Sequence, residues 1–448
     1  VKERAERGVD PTFVRLLGAS EQGVDAMENA GGDCHIVRVI NYEGALNPEL
    51  FERALHNLLR RRPLLTTEIV RPPDEVPYFC FTGERPRIAF VERGDGDQWR
   101  AEFERQLARP LLMDGRALLR LTALTGGRGG EIVLSCHHAV CDGRSLTAFC
   151  RDLAHEYEWL LRGAPGDPVT ITAAVPPPLE DVVPLGLTGS SGEKIMAEYR
   201  SRLGAQMTSP PGFFMEFEPE PPQGRHLLTY EVPPAAASAL VALAHSNGTT
   251  IGGAISAAML RAGLDIGGPG AEDTVGLRTN IDLRPYLRED VPVANMGNFA
   301  SSSFATHHGV RAKPFWTLAR DVSTEIKSSI DSLQAHCAIL LSKSNYEAHR
   351  DGVLPKMWPQ FMLANLGRTN LPEPHEGFRV KSIHGGSPVF GNTPFFFCGA
   401  VGLSGSIFID VNYRTPQTPN QVARDFGESL MQRLMVESET VAVQPAPR

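Results

Sequence analysis

Two adjacent histidines followed by an acid are the residues whose types and spacing most suggest chemistry. They lie in the run His137-His138-Ala139-Val140-Cys141-Asp142-Gly143. A neutral imidazole with a pKa near neutrality can take the proton of a hydroxyl or amine while that group attacks a carbonyl. To present the correct nitrogen it needs a partner that fixes the other one. Consecutive residues in extended chain point to opposite sides. One of the two histidines is therefore expected to face a substrate, and the other to turn inward and bond to backbone. Asp142 either orients the base directly or holds the loop through a cation. Gly143 leaves room for the close approach of a substrate. The blander alternative is a pair of structural histidines with no substrate at all.

The elements around the run decide whether it is held rigidly. Ala117 to Leu124 and Glu131 to Cys136 read as paired strands, and the glycine cluster Gly126 to Gly130 between them reads as a hairpin turn rather than a phosphate cradle. After the loop His137 to Arg144 a helix is expected, capped by Ser145, with Leu146, Phe149, Cys150, Leu153, Tyr157, Leu160 and Leu161 as its apolar stripe. The histidines thus sit at a strand-to-helix turn held from both sides. Upstream, Asn47-Pro48-Glu49 starts a helix whose apolar face is Leu50, Phe51, Ala54, Leu55, Leu58 and Leu59. Arg60 to Arg62 close it and are read as complementing the helix C-terminus rather than binding a phosphorylated cofactor.

The second half repeats the mixture. A strand is expected near Leu227 to Val232. A helix through Leu240 and Leu243 stops at Asn247-Gly248, and Thr249 or Thr250 caps a small-residue helix from Ile251 to Leu264. Thr274 to Leu283 reads as a strand and Glu325 to Leu333 as helix. Phe395 to Val401 and Ser406 to Tyr413 form a late hairpin. The richest break is the Pro/Gly-bearing stretch from Gly163 onward. The expected division is 1–190, a connection over 191–225, and 226–448.

Composition bounds the function. The 448 residues carry a net charge of −8, with 42% hydrophobic and 21% charged residues. That is a soluble globular balance, without the basic stripe of a nucleic-acid partner. No apolar run reaches the length of a transmembrane segment. The charged opening Val1 to Arg7 lacks a secretory apolar stretch, and the seven cysteines are scattered and odd in number. A cytoplasmic protein without a disulfide framework is expected.

The run His137 to Gly143 resembles the HHxxxDG motif of nonribosomal peptide synthetase condensation domains and of their acyltransferase relatives, the phthiocerol dimycocerosyl transferases and alcohol acetyltransferases. Softer similarities extend over most of the chain. They are Leu17 to Glu21, Gly44 to Leu46, Arg61 to Leu65, Asn280 to Pro285, Asn295 to Asn298 and Asn365 to Arg368. The late DFGWG motif of the plant BAHD branch is missing, which places the chain nearer the bacterial branch. The resemblance implies an α/β fold of two chloramphenicol-acetyltransferase-like subdomains, a V-shaped pseudo-dimer with a central tunnel. It implies that His138 is the general base and that Asp142 is chiefly structural, paired with an arginine from the other half. Arg284 is the candidate partner, because a buried carboxylate needs a cation.

The implied activity is acyl transfer from a thioester to a hydroxyl or amine of a small molecule, in natural product or lipid metabolism. The donor would be acyl-CoA or a phosphopantetheinyl thioester on an acyl carrier protein, with no metal and no bound cofactor, in a monomer. A catalytically silent, condensation-like docking module is the alternative. The oxyanion of such a reaction needs a donor. Asn298 and Ser301, in the run Ser301 to Ser303, are candidates, as are backbone N–H groups near Gly143. Zinc is set aside because Cys136, His137, His138, Cys141 and Asp142 are too crowded on one turn to converge. A carrier-type serine at Asp331-Ser332-Leu333 is set aside because it lies in a helical run.

Overall fold

The computed structural model describes residues 12–31, 34–83, 85–94, 96–111, 117–163, 174–187, 189–208, 224–267, 273–341, 343–344, 347, 360–371, 377–388 and 395–439. The first half runs β1 (Phe13–Leu16), α1 (Ala19–Gly31), β2 (His35–Gly44), α2 (Pro48–Arg60), β3 (Thr67–Val70), β4 (Tyr78–Phe81) and β5 (Ile88–Glu92). It continues with α3 (Gln98–Ala108), β6 (Leu119–Gly126), β7 (Gly129–His137), α4 (Gly143–Leu161), α5 (Leu179–Val182) and α6 (Gly189–Thr208). The second half runs β8 (Gly224–Val232), α7 (Pro234–Ser246), α8 (Ile251–Ile266), β9 (Thr274–Asp282), β10 (Ala300–His308), α9 (Phe315–Asp331) and α10 (Gln334–Leu340). It ends with β11 (Phe361–Thr369), β12 (Phe378–Gly386), β13 (Phe396–Leu403), β14 (Ser406–Thr415) and α11 (Asn420–Glu439).

Local chemistry explains the elements that flank the histidines. Asn47 caps α2 by accepting the Leu50 N–H at 3.1 Å, and Pro48 takes the first position. Phe51, Ala54, Leu55, Leu58 and Leu59 are buried on one face, which packs on α4, with Phe51 edge-on to Tyr157 at 5.4 Å. Arg61 and Arg62 follow the end of α2, as expected, and their side chains have partners that the local sequence does not mark. Arg61 pairs with Glu156 at 2.6 Å and Arg62 with Asp152 at 2.7 Å. Both pairs are buried and bolt the end of α2 to α4, so neither cation reaches a cofactor. The glycine cluster is the tip of the antiparallel β6–β7 hairpin, as its flanking strands require.

Among the described residues the strands form three sheets. A small one has the order β1-β4-β3, and the two large ones are β12-β2-β7-β6-β5 and β10-β9-β11-β13-β14-β8. Each large sheet has its own apolar core against its own helices. The two halves are nevertheless interlocked. Strand β12 belongs to the second half in sequence, yet it pairs antiparallel with β2, Ile383 opposite Ile40, and forms the edge of the first-half sheet. Met296, also from the second half, is buried in the first-half core. Conversely, α5 and α6 pack with Ile281, Leu283 and Phe299. The stretch expected as a connection over 191–225 is helical up to Thr208, and 209–223 lie outside the described residues.

The crossing of β12 depends on close approach. A Cβ at Gly386 would lie 1.7 Å from Asn412 Oδ1, and one at Gly385 would lie 2.3 Å from the Val37 carbonyl. Asn412 is pinned there by donating to the Gly385 and Phe397 carbonyls. Replacing Gly386 with alanine must displace Asn412. The expected loss is about 1–3 kcal/mol of stability, read as a lower urea midpoint, with wild-type stability the contrary result. Among the described residues no helix is long and apolar enough to cross a membrane.

Candidate active site

Strand β7 delivers the two histidines to the point where the halves meet. The His138 N–H donates to the Cys34 carbonyl at 3.2 Å, which fastens the turn to the start of β2. His137 is fully buried. Its Nδ1 accepts the Ala139 N–H at 3.1 Å, and its Nε2 lies 3.6 Å from Asp25 Oδ1. Burial pushes its pKa down to about 4 against the pull of Asp25 and Glu28, so the ring is a neutral brace. From His137 to Asp142 only His138 keeps exposure to solvent. Its Nδ1 is enclosed without a hydrogen-bond partner among the described residues. Nε2 is the ring nitrogen that solvent reaches. Burial lowers the His138 pKa below 6.5, while the Asp142 charge and nearby backbone raise it again. The Arg278 charge adds to the lowering.

Asp142, and not Ser145, is the N-cap of α4. Asp142 Oδ1 accepts the Ser145 N–H at 2.8 Å, and Ser145 Oγ accepts the Asp142 N–H at 2.9 Å. The other carboxylate oxygen faces the second half. Oδ2 accepts the Phe299 N–H at 3.0 Å and lies 2.8 Å from Arg284 Nη2. Both oxygens are thereby used away from His138. Arg284 also meets Asp282 at 3.0 Å and lies over the Phe299 ring at 4.9 Å. Burial would raise the Asp142 carboxyl, but the Arg284 charge and the Ser145 and Phe299 N–H groups hold it below its usual range. Gly297 takes φ +122°, a conformation other residues rarely adopt, and donates its N–H to the Val140 carbonyl at 2.8 Å. The turn from Met296 to Phe299 is thus clamped to the histidine turn by two backbone donors.

The other sequence candidates are placed differently. Gly143 opens α4, but the space of its missing side chain is not empty. A Cβ there would lie 2.8 Å from Leu366 Cδ2 and 3.3 Å from Arg38 Nη2. The glycine lets β11 and Arg38 close on α4, rather than leaving room for a substrate. Ser301 donates its hydroxyl proton to the Ala335 carbonyl and so has none for an oxyanion. Asn298 is buried in the clamped turn, and its Oδ1 accepts the Ala300 N–H at 3.3 Å. The Gly143 and Arg144 N–H groups, in the first turn of α4, have no acceptor among the described residues.

Sequence reasoning overlooked four contributors. Arg38 is buried beside the turn, with Nε 3.3 Å from Thr147 Oγ1 and Nη2 3.5 Å from the Gly143 carbonyl. Arg144 reaches Asp282 at 2.8 Å, a second ion pair between the halves. The Phe299 and Gly297 donors are backbone and leave no side-chain signal. The strand pattern of β2 does carry a signal for Arg38, a cation among Ile36, Val37, Val39 and Ile40.

Comparisons with known proteins bear on the fold and the family. The family model "Condensation domain" matches residues 24–172. The model "Phthiocerol/phthiodiolone dimycocerosyl transferase C-terminus" matches residues 221–402. No curated protein matches the chain. Among solved structures, polyketide synthase associated protein 5 from Mycobacterium tuberculosis is 16% identical with a TM-score of 0.66, over 96% of this chain and 98% of that one. A trichothecene 15-O-acetyltransferase from Fusarium sporotrichioides is 16% identical with a TM-score of 0.71, over 94% and 95%. The first condensation domain of the calcium-dependent antibiotic synthetase is 17% identical with a TM-score of 0.68, over 97% and 98%. At these identities the structural likeness establishes the fold, two mixed α/β halves in the pseudo-dimer arrangement. With the two family models covering the histidine turn and the clamp that faces it, the chain belongs to the condensation-domain-like acyltransferase superfamily.

Proposed function

We propose that this protein moves an acyl group from a thioester onto the hydroxyl or amine of a small molecule, with His138 as general base. The observation that carries the reading is the His138 ring. It is the one side chain of a buried turn that solvent reaches, and that turn is held by strand and helix and bonded through Val140 to Gly297 of the other half. In the first step the acceptor's oxygen or nitrogen forms a bond to the thioester carbonyl carbon while its proton passes to His138 Nε2. The carbonyl oxygen becomes an oxyanion. The Gly143 and Arg144 N–H groups, at the positive end of α4, are the donors that suit it. Collapse breaks the carbon–sulfur bond, and the imidazolium returns its proton to the departing thiolate.

The donor is acyl-CoA or an acyl group on a carrier protein, entering a tunnel between the halves from the side opposite the acceptor. Asp142 holds the turn in place through Arg284 and Phe299 and takes no proton. Intact-mass analysis of products, after incubation with a panel of acyl-CoAs and an acceptor library, tests the reading. Acylated acceptor and free CoA in equal amounts support it. Binding of these molecules without product points instead to a docking module.

The lowered pKa of His138 sets a pH dependence. A base must be neutral to accept a proton, so kcat/KM falls as pH drops through the His138 pKa. Because that pKa lies below 6.5, the acid limb is centred below pH 6.5 and the rate is level through neutrality as far as this group is concerned. A limb centred above 6.5 would contradict the assignment.

A further inference from the structure

Arg278 sits on the wall that faces His138 and has a use that the mechanism above does not supply. In β9 the residues Val275, Leu277, Thr279 and Ile281 are buried, and the alternate set Arg278, Asn280 and Asp282 is half-buried on the opposite face. Asp282 fixes which way that face looks, since its carboxylate meets Arg144 of α4. Arg278 is four residues back along the same face. Its charge is felt by Cys34 and His138, the two first-half residues joined by the His138 N–H bond.

The guanidinium is only partly satisfied. Nε donates to Ser302 Oγ at 2.8 Å, and the cation lies over the Phe304 ring at 5.3 Å. Ser302 in turn donates to Asn280 Oδ1 at 3.1 Å. The two terminal nitrogens have no acceptor, and no carboxylate pairs with the group among the described residues. Arg284 and Arg144, its neighbours at the same junction, both have carboxylate partners. Close by is the Tyr199 hydroxyl, buried without a hydrogen-bond partner. A cation removed partly from water without a counter-charge is costly. On the same inner face lies a small apolar cluster of Ala364 and Phe397, with Met362 and Leu366 against it. Met362 is directly opposite Arg278 in the sheet.

We propose that Arg278, with Ser302 holding it in place, is the carboxylate-binding residue of the substrate cleft, and that one substrate of this enzyme carries a carboxylate on an apolar body. Two free guanidinium nitrogens match the two oxygens of a carboxylate, and the neighbouring aromatic and aliphatic side chains suit the rest of the molecule. The inference rests on the acyl-transfer reading for the role of the ligand, but not for its binding. The carboxylate belongs either to the acceptor, as in a hydroxy acid, or to the acyl donor, as in a dicarboxylic acyl-CoA.

Titration calorimetry with benzoate and with its neutral isostere benzamide separates binding from turnover. Wild-type protein is expected to prefer benzoate by roughly tenfold or more. Arg278→Gln should bring the two ligands together, and Arg278→Lys should retain part of the preference. A melting curve of each variant confirms that it is folded. His138→Gln should keep the preference intact, so failure of the base assignment leaves this result standing. Turnover arms then locate the carboxylate. Loss of kcat/KM in Arg278→Gln is expected either with 3-hydroxybenzoate and acetyl-CoA or with benzyl alcohol and succinyl-CoA. Equal binding of benzoate and benzamide by wild type, or a preference unchanged in Arg278→Gln, overturns the proposal.

Discussion

Replacing His138 with alanine should lower turnover by roughly 10²–10⁴-fold while the protein stays folded. The structure explains why both parts of that result are expected together. His138 is half-buried and its Nδ1 has no hydrogen-bond partner among the described residues, so truncation strands no buried group. What fastens the turn is its backbone, through the His138 N–H to Cys34 and the Gly297 N–H to Val140, and alanine keeps both bonds. The lost function is proton removal at Nε2. Single-turnover product formation, set beside a thermal melt, measures the two quantities separately. Wild-type turnover in the variant would show that another group takes the proton.

Asp142→Ala is expected to behave in the opposite way, with a large loss of stability. Three interactions end at this one carboxylate: the cap of α4, the Phe299 N–H and the Arg284 guanidinium. Removing it leaves the buried Phe299 N–H without its acceptor and the buried Arg284 cation with Asp282 alone as counter-charge, at a cost of about 3–5 kcal/mol. Activity falls as well, because the clamp between the two turns is lost. The second substitution Arg284→Met removes the under-compensated charge, leaves Asp282 its pair with Arg144, and should recover part of the stability. Denaturant unfolding of the two single variants and the double variant checks this. An Asp142→Ala protein that melts like wild type but is inactive would mean that the carboxylate takes part in the chemistry.

Many elements of both halves are legible in the sequence because their signals are local. Asn47-Pro48 marks a helix start, and the apolar stripe after it is the buried face of α2. The hairpin glycines fall between strands, and Asn247-Gly248 and Thr250 end one helix and cap the next. Where local chemistry offers two answers, reading goes astray. Ser145 reads as a cap because serine is a good one, whereas Asp142 takes that place and Ser145 reciprocates from three residues on. Arg61 and Arg62 look like helix-end cations because their partners, Glu156 and Asp152, are about ninety residues away in sequence.

The site shows the same divide. That Asp142 needs a cation follows from burial, but Arg284 was suggested by family resemblance, since no spacing rule joins residues so far apart. The role of Gly143 is hidden because Leu366 and Arg38, which fill its space, come from other strands. Ser301 looks like a free donor in a polar run, yet alternation along β10 turns it toward α10 and the Ala335 carbonyl. Arg278 carries no motif and stands out only once its face of β9 is known.

The pairing of β12 with β2 has a practical consequence for anyone wishing to dissect the protein. A fragment ending near Thr208 would carry the histidine turn but lack the outermost strand of its own sheet. The hydrogen-bonding groups of β2 would then be bare along a run of Ile36, Val37, Val39 and Ile40, the kind of edge that recruits other chains. Expression of that fragment alone invites aggregation, whereas co-expression with the remainder offers β2 its natural partner. A split reporter cut in the Pro/Gly stretch would therefore assemble by strand complementation, and a circular permutant is better opened at the chain ends of another loop than between β11 and β13.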